Sequence, residues 1–499
     1  METTPRDDGT QVPVRDGVSA QHDTARMGSG PQHEQADLPA LADREGVLGD
    51  LTRVIADAWA SFDTPRSSEP ELDPALAERF GAALPEQAGD AEAALADAAR
   101  VLDASDSPSR PLFLGYIGST GLEIGVLASA LAATYDANLA TSVRGADLVE
   151  EQALRWLADF VGFPLAEGSF TSGGMTSNLT ALLAARERAL PGTRVDGVGS
   201  RRAAVYCSDE AHHSVVRAVE TCGLGSAAIR RIPLDGLRRM RADALAQALE
   251  DDAAAGVVPV AVVATAGTTL TGAVDPLDAI ADVCERHGVW LHIDGAYGLP
   301  AAAVPSAAPL FAGLARADSA TIDAHKWLGL QKSCSVVLLR EAGPLQAAFG
   351  HKERYMLHEG DVANPVDRTL EYSRPLRSLR LWMAFRVHGA AQYRAWIEHT
   401  LANARRLTAL VEAAPAFELL HEPQLSTVCF RHVPPGVDDL DAHNLRLARA
   451  MMRDGRIFLA PAAVDGRACL RACFVNFRTT PDKVALVLDV AAQLGRVSR

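Results

Sequence analysis

The chain has 499 residues, 48% hydrophobic and 22% charged, with 48 basic and 63 acidic side chains for a net charge of -15. That length suits roughly two to four domains and a large buried core. The acidic balance argues against nucleic acid or an anionic membrane surface as partner, and no apolar run reaches the length of a membrane span.

Residues 1–45 are rich in Asp, Gln, Gly, Pro and Thr and poor in large apolar side chains. Such a segment cannot offset its ordering entropy and is expected to be a disordered tail. From Gly46, Val47, Leu48, Leu51, Val54, Ile55 and Trp59 recur at helical spacing. A second helical stretch is expected from Asp73 to Leu102, then a break at Asp106–Pro111 and a Gly-rich apolar segment, Phe113–Leu131. We take 46–125 as an N-terminal helical segment.

A large domain is expected over 126–385. Its candidate strands are Ala203–Cys207, Val257–Ala264, Val289–Ile293, Ala320–Ile322 and Ser335–Leu339. Amphipathic stretches such as Leu179–Leu190, Arg241–Glu250 and Leu277–His287 separate several of them. Apolar strands alternating with helices predict an α/β fold with a mostly parallel sheet. A smaller C-terminal α+β domain is expected over 386–499. A long helical pattern leads into it from Arg377 to Ala413. Strand-like runs Thr427–Arg431 and Cys469–Asn476 follow, then a closing helix, Asp482–Leu494.

Seven cysteines are scattered through a chain that opens on no secretory leader, so reduced thiols and a cytoplasmic setting are expected. Cys469 and Cys473 have helical spacing, but no second Cys/His pair has zinc spacing, so no metal site is expected.

In an open α/β sheet, ligands collect beyond the carboxyl ends of the strands. The residues there are Ser208–Ser214 with His212, then Thr265–Thr269, then Asp294–Tyr297, then Asp323–Trp327 with Lys326. The run TSGGMTSN, Thr171–Asn178, precedes a helix, where glycines and free N–H groups suit a phosphate. A plain helix cap with a tight turn is the alternative. Asp294 is either a cap or ion-pair member, or a partner for a heterocyclic N–H. His212 is either a satisfied structural histidine or an imidazole stacked on a planar ring. Only four basic residues are lysines, at 326, 332, 352 and 483. Lys326, beside Trp327 and beyond an apolar strand, is either a solvated charge or a desolvated nucleophile. Phosphate cradle, histidine, strand-end Asp and Lys together are the parts needed to hold pyridoxal phosphate.

The sequence resembles the group II pyridoxal-phosphate decarboxylases, the family of aromatic L-amino acid, glutamate and cysteine sulfinate decarboxylases. The resemblance runs from about Asp103 to the C-terminus. It rests on TSGGMTSNLTALLAAR, YCSDEAHHSVVRA, VVATAGTT, VWLHIDGAYG and DAHKWL, in the family's order, with STGLE, RSLRLW and LRACFVNFRTT around them. It implies pyridoxal-phosphate fold type I, the aspartate aminotransferase-like fold, with pyridoxal 5'-phosphate as cofactor and an L-amino acid as substrate. It also implies a homodimer with the active site at the interface.

By the same resemblance Lys326 is the Schiff-base lysine and His325 its neighbouring cofactor contact. Asp294 partners the pyridine nitrogen, Ala296 packs beside the ring, His212 stacks on it, and Thr265 lies close to it. Gly174, Met175 and Thr176 fall where the family binds phosphate. Met175 stands where many members carry Ser or Thr, so binding there leans on backbone N–H groups. Tyr355 corresponds to a loop tyrosine that returns a proton to the substrate carbon across the dimer interface, which implies simple decarboxylation rather than aldehyde formation. Ser119 and Arg471 are the implied substrate contacts, Arg471 resembling an arginine that acidic-substrate members use. Ile117 and Gly118 stand where glutamate decarboxylases typically carry Gln, so an aromatic or otherwise apolar substrate is expected. Acidic amino acids, 2,4-diaminobutyrate and decarboxylation coupled to aldehyde formation are the alternatives.

Overall fold

The computed structural model describes residues 41–497 apart from 42, 69, 119, 141–143 and 352–363. The expected tail therefore lies almost wholly outside the described residues, as do Ser119 and Tyr355. The chain divides into a short N-terminal unit, 1–49, and a large unit, 50–499.

Helix α1 (Arg44–Phe62) buries no side chain completely. Leu51, Val54 and Ile55 instead line an open cleft of about 1240 Å³ with Leu95, Ala98 and Leu102. The helix expected over 73–102 is in fact two, α2 (Pro74–Phe80) and α3 (Ala91–Asp103). Pro85 and Gly89 interrupt the pattern, and Asp73 and Asp90 cap the two starts by accepting from the Ala75 and Ala93 N–H groups. Helices α4 (Glu123–Tyr135) and α5 (Gly145–Val161) lead into the main sheet.

That sheet has seven strands: β1 (Glu167–Thr171), β2 (Ala203–Ser208), β3 (Ile229–Ile232), β4 (Val258–Thr265), β5 (Trp290–Asp294), β6 (Ser319–Asp323) and β7 (Ser335–Leu339). Their order is β1-β7-β6-β5-β4-β2-β3. The pairs from β3 to β6 are parallel, whereas β7 runs antiparallel to both β6 and β1. Helices α6 (Gly174–Ala189), α7 (Thr193–Asp196), α8 (His213–Thr221), α9 (Ala242–Ala254) and α10 (Leu277–His287) provide the connections. β5 is buried along its whole length, which is why Trp-Leu-His-Ile reads as a nearly continuous apolar run. Strands β1 and β3 carry little of that signal. β1 has Phe170 as its one large apolar side chain, and β3 is Ile-Arg-Arg-Ile at the sheet edge. Because β1, β2, β4, β5 and β6 all run the same way, Thr171, Ser208, Thr265, Asp294 and Asp323 end on one edge of the sheet.

After α11 (Pro344–Phe349), the helix expected from 377 to 413 appears as α12 (Ser378–Ala413), two helical runs joined at Gly389. Its φ of 74° and ψ of 157° are non-helical, a break that glycine takes without a Cβ penalty. The second sheet, β8 (Phe417–Leu419), β9 (Thr427–His432), β10 (Ala460–Val464) and β11 (Arg467–Cys473), is antiparallel in the order β10-β11-β9-β8. It packs with α13 (Leu440–Asp454) and α14 (Pro481–Val497) around Leu407, Phe430, Leu447, Met451 and Phe474. Cys469 and Cys473, read as helically spaced, both lie on β11, where a four-residue separation puts them on one face. Among the described residues no helix is long and apolar enough to cross a membrane.

Candidate active site

Lys326 lies in a tight turn after β6. Its N–H donates to the Asp323 carbonyl at 3.0 Å, and its own carbonyl accepts from Gly329 at 3.0 Å. Nζ is 2.9 Å from Asp323 Oδ2, and its side chain is only 23% exposed. The neighbouring Trp327 points the other way, stacking on Tyr297 and donating to Thr400 Oγ1.

Helix α6 begins against this pair, five residues before the Leu179 start expected from sequence, so Met175 and Thr176 fall in its first turn. A Cβ on Gly174 would come 2.9 Å from Asp323 Oδ2 and 3.2 Å from the Ala296 methyl. Glycine thus lets the helix start close on the strand ends. Ser172 Oγ and Thr176 Oγ1 are 2.9 Å apart, while Met175 stays exposed and offers no donor.

Asp294, 5% exposed, ends β5 opposite Thr265 of β4. Its Oδ2 accepts from Asn178 Nδ2 at 2.9 Å and its Oδ1 from the Ala296 N–H at 3.2 Å. His212 caps α8: its Nδ1 accepts from the Ser214 N–H at 3.1 Å and is 2.9 Å from Ser214 Oγ. The structural and the functional readings of His212 are therefore compatible, because the cap occupies one ring nitrogen and leaves the ring face and Nε2 open. The residue is exposed at the mouth of the site in the single chain. Partial burial of the ring still lowers its pKa, against the raising effect of the Asp294 charge. His325 turns its Nδ1 to the Cys334 carbonyl at 2.9 Å and its Nε2 toward Asp323 at 3.6 Å. Burial lowers its pKa as well, with the Asp323 charge opposing.

Arg471 reaches the region from β11 of the second sheet. It is 5% exposed, donating from Nε to the Leu270 carbonyl at 3.1 Å and from Nη1 to the Tyr116 carbonyl at 3.4 Å. A few residues on, the Leu122 N–H donates to the Gly329 carbonyl at 2.8 Å, so one segment joins Arg471 to the Lys326 turn. Sequence reasoning gave no role to Asn178, Ser214, His292 or Asp323. All four lie in the runs that carry the family resemblance, and His292, two residues before Asp294, is on the same strand face.

The pattern described as the pyridoxal-dependent decarboxylase conserved domain matches residues 74–433. The aromatic-L-amino-acid decarboxylase of Bacillus atrophaeus is 33% identical over 389 residues, 76% of this chain and 80% of that one. The L-2,4-diaminobutyrate decarboxylase of Rhizobium meliloti is 36% identical over 364 residues, 70% of each. The crystal structure of Oryza sativa TDC with PLP and tryptamine superposes with a TM-score of 0.85 at 26% identity, covering 92% of this chain and 99% of that one.

A sheet of this order with an amine, a buried carboxylate and a helix start at one edge defines a type I pyridoxal-phosphate fold. The chain belongs to the pyridoxal-dependent decarboxylase family, and it is a pyridoxal-phosphate-dependent amino acid decarboxylase, a carboxy-lyase. Its own residues fit that cofactor. Thr265 Oγ1 and Asp323 Oδ1 are buried without a hydrogen-bond partner at the same sheet edge, and the Gly174 approach leaves the α6 N–H groups open to a phosphate.

Proposed function

We propose that the protein decarboxylates an aromatic or otherwise apolar L-amino acid to its amine and carbon dioxide. When bound, pyridoxal phosphate supplies the electron sink for the bond to the carboxylate. In this reading Lys326 holds the cofactor and Asp294 holds the proton at the ring nitrogen. Gly174, Met175 and Thr176 bind the phosphate at the start of α6, while Thr265, Ala296 and His325 line the ring's surroundings. His212 covers the ring face, excludes water and orients the carboxylate for departure. Tyr355 of the partner subunit returns a proton to the substrate carbon, and Ser119 and Arg471 contact the substrate.

The aromatic preference is carried by one observation. Tyr116, whose carbonyl Arg471 binds, belongs to an aromatic cluster with Phe458 and Phe113, the last two stacked at 4.5 Å. Beside it the buried Ile117 stands where an acidic-substrate site would want a polar side chain. A second reading, an acidic side chain, is favoured by Arg471 Nη2, which is buried without a hydrogen-bond partner. Comparing kcat/KM for tryptophan, tyrosine, phenylalanine and DOPA with glutamate, aspartate, cysteine sulfinate and 2,4-diaminobutyrate decides between them. The proposal expects the best aromatic substrate to lead by at least about tenfold, the scale of one well-filled apolar pocket. Amine in place of aldehyde and ammonia should be the product. A better acidic substrate would transfer the role of Arg471 to the side-chain carboxylate.

Two further parts belong to this reading. The open apolar cleft of 51–102 supports a homodimer, since an exposed face of this kind suits a subunit interface. Seven buried, unpaired cysteines support a reducing cytoplasm. The large and small domains are taken as 126–385 and 386–499, after the N-terminal helices.

A further inference from the structure

Behind Asp294 runs a line of buried polar contacts that the reaction itself does not use. Trp290 Nε1 donates to Ser319 Oγ at 2.8 Å, and Ser319 Oγ is 2.8 Å from His292 Nδ1. His292 Nε2 is 3.0 Å from Asn178 Oδ1, and Asn178 Nδ2 donates to Asp294 Oδ2 at 2.9 Å. The same Nδ2 donates to Ser214 Oγ at 3.0 Å, and Ser214 contacts His212 Nδ1 through both its hydroxyl and its N–H. His292, Ser319 and Asn178 are all 1% exposed or less.

The carboxylate end of this line fixes its protons, and the indole end is compatible with them. At the Trp290 end, Ser319 Oγ accepts from the indole N–H and keeps its own hydrogen available for His292 Nδ1. A neutral His292 then carries its proton on Nε2 and donates to the Asn178 oxygen, with Thr321 Oγ1 a distant second acceptor at 3.5 Å. That holds the Asn178 amide with its N–H groups toward Asp294 and Ser214. An ionised carboxylate can only accept, so the far end demands the same polarity. On the branch, the Ser214 backbone N–H can only donate, so His212 Nδ1 must accept and its proton must lie on Nε2, the open side. Burial lowers the His292 pKa to about 4, with the Asp294 charge and then the Ser319 backbone opposing, so the ring is neutral at ordinary pH.

We infer that Asn178 is a positioning residue, backed by the Trp290–Ser319–His292 chain, that sets the hydrogen-bonding face of Asp294 and, through the Ser214 hydroxyl, the orientation of the His212 ring. The inference rests on the cofactor roles proposed for Asp294 and His212. Without the amide, the Asp294 carboxylate loses a donor, and the Ser214 hydroxyl loses the partner that leaves its hydrogen for His212. The two side chains assigned to opposite sides of the cofactor, its ring nitrogen and its ring face, thus answer to one amide.

The test begins on the cofactor-free wild-type protein, with nitrogen-15 spectra of labelled histidines. Signals are assigned by their loss in His292→Gln and His212→Gln. The inference expects a protonated Nε2 and a bare Nδ1 in both rings. It also expects Asn178→Ala, which removes the acceptor at Nε2, to give a mixture of His292 tautomers. In Asn178→Ala, pyridoxal phosphate should bind about 10–100-fold more weakly, the scale of a lost hydrogen bond to a charged group. Urea unfolding separates that loss from a failure to fold. A proton on His292 Nδ1, directed at the Ser319 carbonyl, would overturn the inference. So would a folded Asn178→Ala variant that binds the cofactor within twofold of wild type. The proton positions are read without cofactor or substrate, so a wrong reading of the reaction and a wrong reading of the chain give different results.

Discussion

The amine of Lys326 and the carboxylate of Asp323 lie 2.9 Å apart, three residues from each other in the turn that ends β6. The pair holds the proposed nucleophile against the start of α6 and leaves Asp323 dependent on a cation. Lys326→Ala should therefore have two separable effects. Decarboxylation should fall by at least about three orders of magnitude, because the proposed attachment of the cofactor is lost. The cofactor-free protein should lose about 1–3 kcal/mol in urea unfolding, because a buried carboxylate loses its partner. Lys326→Arg should recover part of the stability and none of the activity, since a guanidinium stays protonated. Activity in Lys326→Arg would contradict the assignment.

Acid should weaken the fold through His292. Its pKa falls from 6.5 to about 4 on burial, so the unfolded chain binds this proton first as pH drops. The stabilisation is complete above pH 6.5 and is lost as pH falls through 6.5 toward 4, about 3 kcal/mol in all at 1.36 kcal/mol per unit. Unfolding free energies measured across this window should slope downward toward acid. The slope should be shallower in His292→Gln, whatever its absolute stability. An unchanged slope would mean that the ring is protonated in the native protein.

One buried ion pair ties α5 to the segment that leads into α12. Arg374 grips Glu150 of α5 with two bonds of 2.8 and 2.6 Å, and the side chains are 3% and 10% exposed. Glu150→Ala should cost about 3–5 kcal/mol, because it leaves the guanidinium buried and unpaired. Replacing both residues with apolar ones of similar size should cost less than the single change. Chemical denaturation of wild type and the two variants checks both statements.

All seven cysteines are buried and unpaired. Burial also raises the thiol pKa of Cys207 to about 11 and that of Cys222, Cys284 and Cys334 to about 12. A thiol reagent should modify few or none in the native protein within minutes, and all seven after unfolding without reductant. Fewer than seven in the unfolded state would reveal a disulfide.

Much of this was legible in the sequence because the reacting groups sit where the hydrophobic pattern ends. The apolar runs of β2, β4, β5 and β6 each stop within a residue or two of a polar one, so Thr265, Asp294 and Lys326 could be found from strand ends alone. The helix start at Gly174 could not, since Met175 to Asn178 are polar or flexible and the apolar signal begins only at Leu179. Strands β1 and β3 were hidden for a related reason: an edge strand needs few large apolar residues. The role of Asn178 depends on contacts 116 and 114 residues distant, to Asp294 and His292, which no local pattern encodes. Gly389 was readable as a helix weakness, but only the fold shows that it becomes a break.

The central claim, amino acid decarboxylation that depends on Lys326, is tested most directly by trapping carbon dioxide from carboxyl-labelled L-amino acids. Wild type and Lys326→Ala should be compared, each with pyridoxal phosphate added. The account predicts labelled carbon dioxide and an equal amount of amine from at least one aromatic substrate with wild type, and none above background with Lys326→Ala. Equal release by both proteins, or no release by wild type from any of the amino acids, would contradict it.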